Sequence, residues 1–96
     1  MAGYQDLQAW EKSIELTIEI YRLVKYLPRE ETYGLSDQMR RAVVSIPSNI
    51  AEGKAREAKN DFIRFLYISQ GSRAELETQL EICERLTYLP ENQTIK

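Results

Sequence analysis

Arg40 and Arg41 stand side by side near the middle of the chain, and Lys54, Arg56, Lys59 and Arg64 follow them. A guanidinium is a planar fork of N–H donors that matches phosphate oxygens, and a lysine ammonium is a point charge of the same sign. The chemistry such a set can do is neutralise a phosphate backbone, which is nucleic-acid contact and not a reaction. Each half of the set also has a plainer explanation. Asp37 lies four residues before Arg41, a helical spacing that suits an intrahelical ion pair of small energetic value. The later four can coat a solvated connection.

Reaction chemistry finds little to work with. The chain has no histidine, which removes the usual general base, the Ser-His and Cys-His nucleophile pairs and the commonest transition-metal ligand. The Glu-x-x-His pairs of a di-iron helical bundle are absent with it. Glu75, Glu77, Glu81 and Glu84 supply carboxylates, but a working acid and base need surroundings that push their pKa values apart. On a helix with polar neighbours they form a solvated face. Cys83 is the single cysteine; it falls on an apolar stripe and reads as a small core residue. It can form no intramolecular disulfide, which fits a reducing cytoplasm. The expectation is therefore a non-enzyme with no metal, no cofactor and no small-molecule substrate.

Charge is laid out unevenly. The chain carries a net −2 over 96 residues, but Met1 to Met39 carries −3, Arg40 to Arg73 carries +4 and Ala74 to Lys96 carries −3. A basic middle between acidic ends points to an anionic partner. No apolar run is long enough for a membrane span and no signal-peptide pattern opens the chain. A domain of this length buries only roughly 60–68% of its unfolded surface, so self-association is a natural source of stability.

Ser45-Ile46-Pro47-Ser48-Asn49-Ile50-Ala51-Glu52-Gly53 is the stretch that most resembles an active-site loop. Ile46 and Ile50 nevertheless continue one apolar stripe straight through Pro47, so the helical period survives the proline. A bend is expected there, because Pro47 cannot donate to the Val43 carbonyl. Gly53 is expected to supply the left-handed residue of a C-terminal cap. A phosphate loop would need several glycines between a strand and a helix.

Apolar spacing predicts three helices, over about 6–27, 35–53 and 60–88, with a short tail over 90–96. In the first, Leu7, Trp10, Ile14, Ile18, Tyr21 and Val24 make one stripe and Leu16, Ile20, Leu23 and Leu27 a second. Together they cover more than half the circumference, wider than the roughly 100° that one small core requires. The excess predicts contact with another subunit. The third helix opens at an expected N-cap, Asn60, and carries Phe62, Phe65, Leu66, Ser69, Leu76, Leu80 and Cys83 on one face. Arg73 projects on that face too, and a buried charge needs a partner; Glu52 is the expected one. Most of the six tyrosines, with Trp10, fall on packing stripes. The architecture is an all-α, antiparallel up-down helical bundle.

Several stretches carry a family resemblance. These are Leu7-Gln8-Ala9-Trp10, Tyr33-Gly34-Leu35-Ser36-Asp37-Gln38-Met39-Arg40-Arg41-Ala42, the Ser45 to Gly53 segment, and Ala74-Glu75-Leu76-Glu77-Thr78-Gln79-Leu80. Together they resemble the four-helix-bundle family encoded in intervening sequences of bacterial large-subunit ribosomal RNA genes, from about Leu7 to Tyr88. That family is similar in fold to the accessory protein of diversity-generating retroelements, a five-subunit barrel with a basic, nucleic-acid-binding surface. The resemblance implies a homo-oligomer, a pentamer, with no catalytic activity. On the charge layout Arg40, Arg41, Lys54, Arg56, Lys59 and Arg64 are candidate nucleic-acid contacts, and on the helical reading Pro47, Asn49, Glu52, Gly53 and Arg73 are structural. The resemblance also implies a fourth helix beyond Pro90, where six residues remain. Uncovered apolar surface is then expected on the first and third helices, filled by further chain or by another subunit.

The expected function is a cytoplasmic homo-oligomer that binds RNA or DNA through its basic middle. The competing expectation is a protein–protein adaptor or scaffold whose basic charges are incidental.

Overall fold

The computed structural model describes residues 3–90. Three helices dominate, α1 at Gln8–Leu23, α2 at Leu35–Ala55 and α3 at Lys59–Arg85, with single 3-10 turns at Tyr4–Asp6, Val24–Tyr26 and Arg29–Glu31. Among the described residues there is no strand. The expected tail, past Pro90, lies outside them. The first helix is shorter than the apolar pattern implied, because Val24–Tyr26 tightens to a 3-10 turn ahead of Pro28.

The middle helix is central because its sequence is apolar where two partners require it. Leu35, Met39, Ala42, Val43, Ile46, Pro47, Ile50 and Gly53 are all buried, and α1 and α3 both pack against α2 but barely against each other. The α2–α3 pair is antiparallel. Met39 meets Cys83, Ser45 meets Ser72, and the Ile46 carbonyl accepts from Ser69, so positions rise on one helix as they fall on the other. The core draws on both stripes: Ile20, Leu23 and Leu27 of the second and Val24 of the first are buried, whereas Ile18 and Tyr21 of the first stay 48% and 44% exposed.

Pro47 lies inside an unbroken α2, as the continuing stripe predicted. Lacking an N–H, it leaves the Val43 carbonyl without its usual intrahelical donor. The Thr17 hydroxyl of α1 reaches that oxygen at 3.4 Å while making a shorter bond, 2.7 Å, to the Ser13 carbonyl. A helix interruption in one element is thus partly answered by its neighbour.

Gly53 is not the expected left-handed cap. No glycine among the described residues has positive φ; the left-handed position in this connection is Glu57, at φ 63°. Gly53 is instead a buried helical residue at a close crossing. A Cβ there would stand 2.7 Å from Phe65 Cβ and 3.3 Å from the Phe62 backbone. Ala58, not Asn60, is the N-cap of α3, and it contributes no side-chain bond.

At the opposite end, Glu31 ties two helices. One carboxylate oxygen accepts from the Leu35 N–H at 3.1 Å, meeting an otherwise unpartnered donor in the first turn of α2. The other accepts from the Tyr88 hydroxyl at 3.0 Å. That bond to a carboxylate raises the Tyr88 pKa, with burial adding to it.

Candidate nucleic-acid interface

The six candidate basic residues fall into two groups. Arg40 and Arg41 sit on the first half of α2, and Lys54, Arg56, Lys59 and Arg64 surround the α2–α3 turn. From Arg41 to Lys54 the helix rises about 20 Å, so one chain does not gather all six into one patch.

The first group is already engaged. Arg40 donates to the Thr32 carbonyl at 3.2 Å. Arg41 pairs with Asp37 at 2.9 Å, the plainer arrangement that their spacing allowed, and this hydrogen bond raises the arginine's pKa further. Because the Arg41 side chain is 78% exposed, solvent screening leaves the pair weak. It can be exchanged for a phosphate.

The second group is organised by aromatic rings. The Arg64 guanidinium carbon lies 4.4 Å and that of Arg56 lies 5.2 Å from the Phe65 ring centroid. Lys54 Nζ lies 5.7 Å from the Phe62 centroid. These distances are within the range of cation–π attraction. Phe62 and Phe65 start α3, while Lys54 and Arg56 end α2, so the close crossing at Gly53 is what brings the cations over the rings. Glu52 pairs with Arg56 at 3.1 Å and Asp61 approaches Arg64 at 3.9 Å. Residues 52–64 hold four basic and three acidic side chains, a net of +1. The turn is a local cluster of basic side chains with only a small positive excess.

Pro47, Asn49 and Gly53 have structural positions. Asn49 donates to the Ser45 carbonyl at 2.7 Å and to its hydroxyl at 2.8 Å, and that hydroxyl meets Ser72 of α3 at 2.7 Å. The expected Arg73–Glu52 bridge does not form. Arg73 is 63% exposed and reaches toward Glu77 at 3.9 Å, while Glu52 serves Arg56. The reason lies in α3, which buries only Ser69, Leu76, Gln79 and Cys83. That strip is narrower than its apolar pattern, and Arg73 lies outside it. Gln79 Oε1 is buried with no hydrogen-bond partner; we have no physical account of it.

Cys83 is buried in the core, as its stripe predicted, with Sγ 3.6 Å from the Met39 sulfur. Burial, reinforced by the charges of Glu31 and Glu84, raises its pKa to about 11. The fold favours the neutral thiol, so this contribution to stability is complete below the ordinary value of 9.0 and is lost as pH rises toward the folded one. At pH 8 alkylation by iodoacetamide should run at least about a hundredfold slower in the native protein than in the urea-unfolded chain. Comparable rates would show that Cys83 is accessible and the core contact wrong.

Among the described residues, no cluster of His, Cys, Asp and Glu is arranged to hold a metal ion. No helix there is long and apolar enough to cross a membrane. Phe65 is the residue that sequence reasoning undervalued. Its ring was read as packing, and the cations that face it include one from across a turn. A family model described as 23S rRNA-intervening sequence protein matches residues 5–96. No curated protein matches the chain.

Proposed function

The chain belongs to the 23S rRNA-intervening sequence protein family, and from that premise we propose that it is a non-enzymatic, cytoplasmic homo-oligomer that binds RNA through the basic α2–α3 turn. The subunits complete an up-down bundle, with five copies the number the family resemblance implies. The observation that carries the reading is the grouping of Lys54, Arg56 and Arg64 around Phe62 and Phe65. Repeated in an oligomer, the net +1 of each turn adds up to a cationic surface. Its contacts are to phosphate, so it distinguishes RNAs by shape and charge density instead of by base sequence.

A variant series tests the location. Lys54→Ala/Arg56→Ala/Arg64→Ala is expected to weaken binding to a structured RNA hairpin by at least about tenfold at low salt and to make the salt dependence shallower, each lost phosphate contact flattening the slope by about 0.7–0.9. Arg40→Ala/Arg41→Ala should have the smaller effect, since this pair lies about 20 Å along α2 from the turn. Equal binding by the triple variant and the wild type would remove the turn from the interface.

The second reading, a protein–protein adaptor, is favoured by the exposed Ile18 and Tyr21. A folded oligomer with no RNA affinity at low salt would select it.

A further inference from the structure

Among the described residues, Tyr33 is the most exposed of the large apolar and aromatic side chains, at 94%. Tyrosine is ordinarily intermediate in burial, because its apolar body gains by leaving water. Here the fold takes nothing from the ring. The loop that carries it is nonetheless firmly braced. The Thr32 N–H and hydroxyl both donate to the Arg29 carbonyl, at 3.1 and 2.7 Å. The Gly34 N–H donates to the Glu31 carbonyl at 3.0 Å, and the Glu31 carboxylate accepts from Leu35 and Tyr88. Tyr33 therefore projects from a fixed backbone.

Cationic side chains stand beside it. Arg40 donates from Nη2 to the Thr32 carbonyl at 3.2 Å, which holds its guanidinium against the residue that precedes Tyr33. Arg29 opens the 3-10 turn that leads into the loop. Among the described residues the ion pairs engage Arg41, Arg56, Arg64, Arg73 and Arg85, so no carboxylate neutralises Arg29 or Arg40. Against these two arginines the loop sets one unengaged carboxylate, Glu30, since Glu31 serves Leu35 and Tyr88 and Asp37 serves Arg41. The exposed chain neighbours of the ring are polar. A protein contact seats a tyrosine inside a patch that excludes water. An isolated ring beside uncancelled arginine charge suits a nucleotide, whose base stacks on the ring while its phosphate meets the guanidinium.

We propose that Tyr33 and Arg40 form a second nucleic-acid contact, one for an unpaired nucleotide. The base stacks on the Tyr33 ring and Arg40 holds the adjoining phosphate. From Leu35 to Ala55, α2 rises about 30 Å, so this contact is separate from the α2–α3 turn. The turn meets the phosphates of any strand. The tyrosine takes only a base released from pairing, because a base within a helix is covered on both faces by its neighbours. The ligand class is RNA with a loop, a bulge or a single-stranded end. This inference rests on the RNA-binding reading above and adds the kind of strand bound.

Anisotropy with two labelled RNAs, a single strand and a blunt-ended duplex of the same length, tests it. Tyr33→Ala is expected to bind the single strand at least about tenfold more weakly, the effect of one lost stack. Its duplex affinity and its salt slope on either RNA stay unchanged. Tyr33→Phe keeps the stacking face and the wild-type affinity. Arg40→Gln also weakens single-strand binding, and it flattens the salt slope by about 0.7. Because the ring is exposed, Tyr33→Ala leaves the thermal midpoint and the sedimentation coefficient where they were. A wild type that binds neither RNA overturns the RNA reading and this inference together. Wild-type binding with Tyr33→Ala unchanged on the single strand, or weakened equally on both RNAs, overturns this inference alone. So does a Tyr33→Ala protein that sediments as a smaller species, an outcome that assigns the ring to a protein contact.

Discussion

Leu76→Ala is expected to destabilise the protein by about 3–5 kcal/mol, the upper part of the range for large-to-small core substitutions. Leu76 is 1% exposed and is the one large aliphatic side chain that α3 buries completely; the other buried positions of α3 are Ser69, Gln79 and Cys83. A core fed so sparingly from one helix has few neighbours able to collapse into the vacated space, and the cavity term adds to the lost transfer energy. Against a total stability of about 5–15 kcal/mol this is a large fraction. At about 4–8 °C per kcal/mol for a domain of this size, the midpoint in a thermal circular-dichroism melt should fall by roughly 12 °C or more. A fall under about 4 °C would mean that α3 is held by something other than this contact.

Gly53→Val is the second large effect. The close crossing leaves no room for a side chain, since even a Cβ would stand 2.7 Å from Phe65 Cβ and 3.3 Å from the Phe62 Cα. Neither atom is the flexible end of a side chain, so relief requires the helices to separate. Overpacking of this kind costs about 1–3 kcal/mol, and valine's branches place it at the upper end. The higher helix propensity of the substitute offsets only a few tenths of a kcal/mol, valine being a modest helix former. Separation also carries Phe65 away from Arg56, so RNA affinity should fall with stability although no charge has changed. Denaturant unfolding monitored by circular dichroism gives the first quantity and anisotropy the second. An unchanged unfolding midpoint would show that the crossing is looser than described.

These two positions also mark the limit of what could be read from the chain. The three helices, the passage of α2 through Pro47 and the burial of Cys83 follow from 3.6-residue spacing, a local property that a linear sequence displays directly. Gly53 was visible as a special residue, but its reason was not. A left-handed cap is a local explanation, whereas the clash that excludes a side chain comes from residues nine and twelve positions later. Arg73 failed similarly. Helical arithmetic placed it with Leu66 and Leu80, yet α3 touches the core along a narrower strip, and the width of a contact is set by the partner helix. For α1 the excess apolar arc was legible, but which residues of it face inward depended on α2. The candidate interface was legible as a list of cations; its division into an engaged pair on α2 and a cluster over Phe62 and Phe65 required the fold.

The central claim is tested most directly by titrating the wild-type protein into a fluorescently labelled RNA hairpin at several salt concentrations and following anisotropy. Phosphate neutralisation by a repeated basic turn predicts micromolar or tighter binding at low salt and a steep linear decline of log affinity with log salt, about 0.7–0.9 per phosphate contact. No binding at low salt by a protein shown to be folded and assembled would contradict the account and leave the exposed Ile18 and Tyr21 of α1 as the surface to pursue.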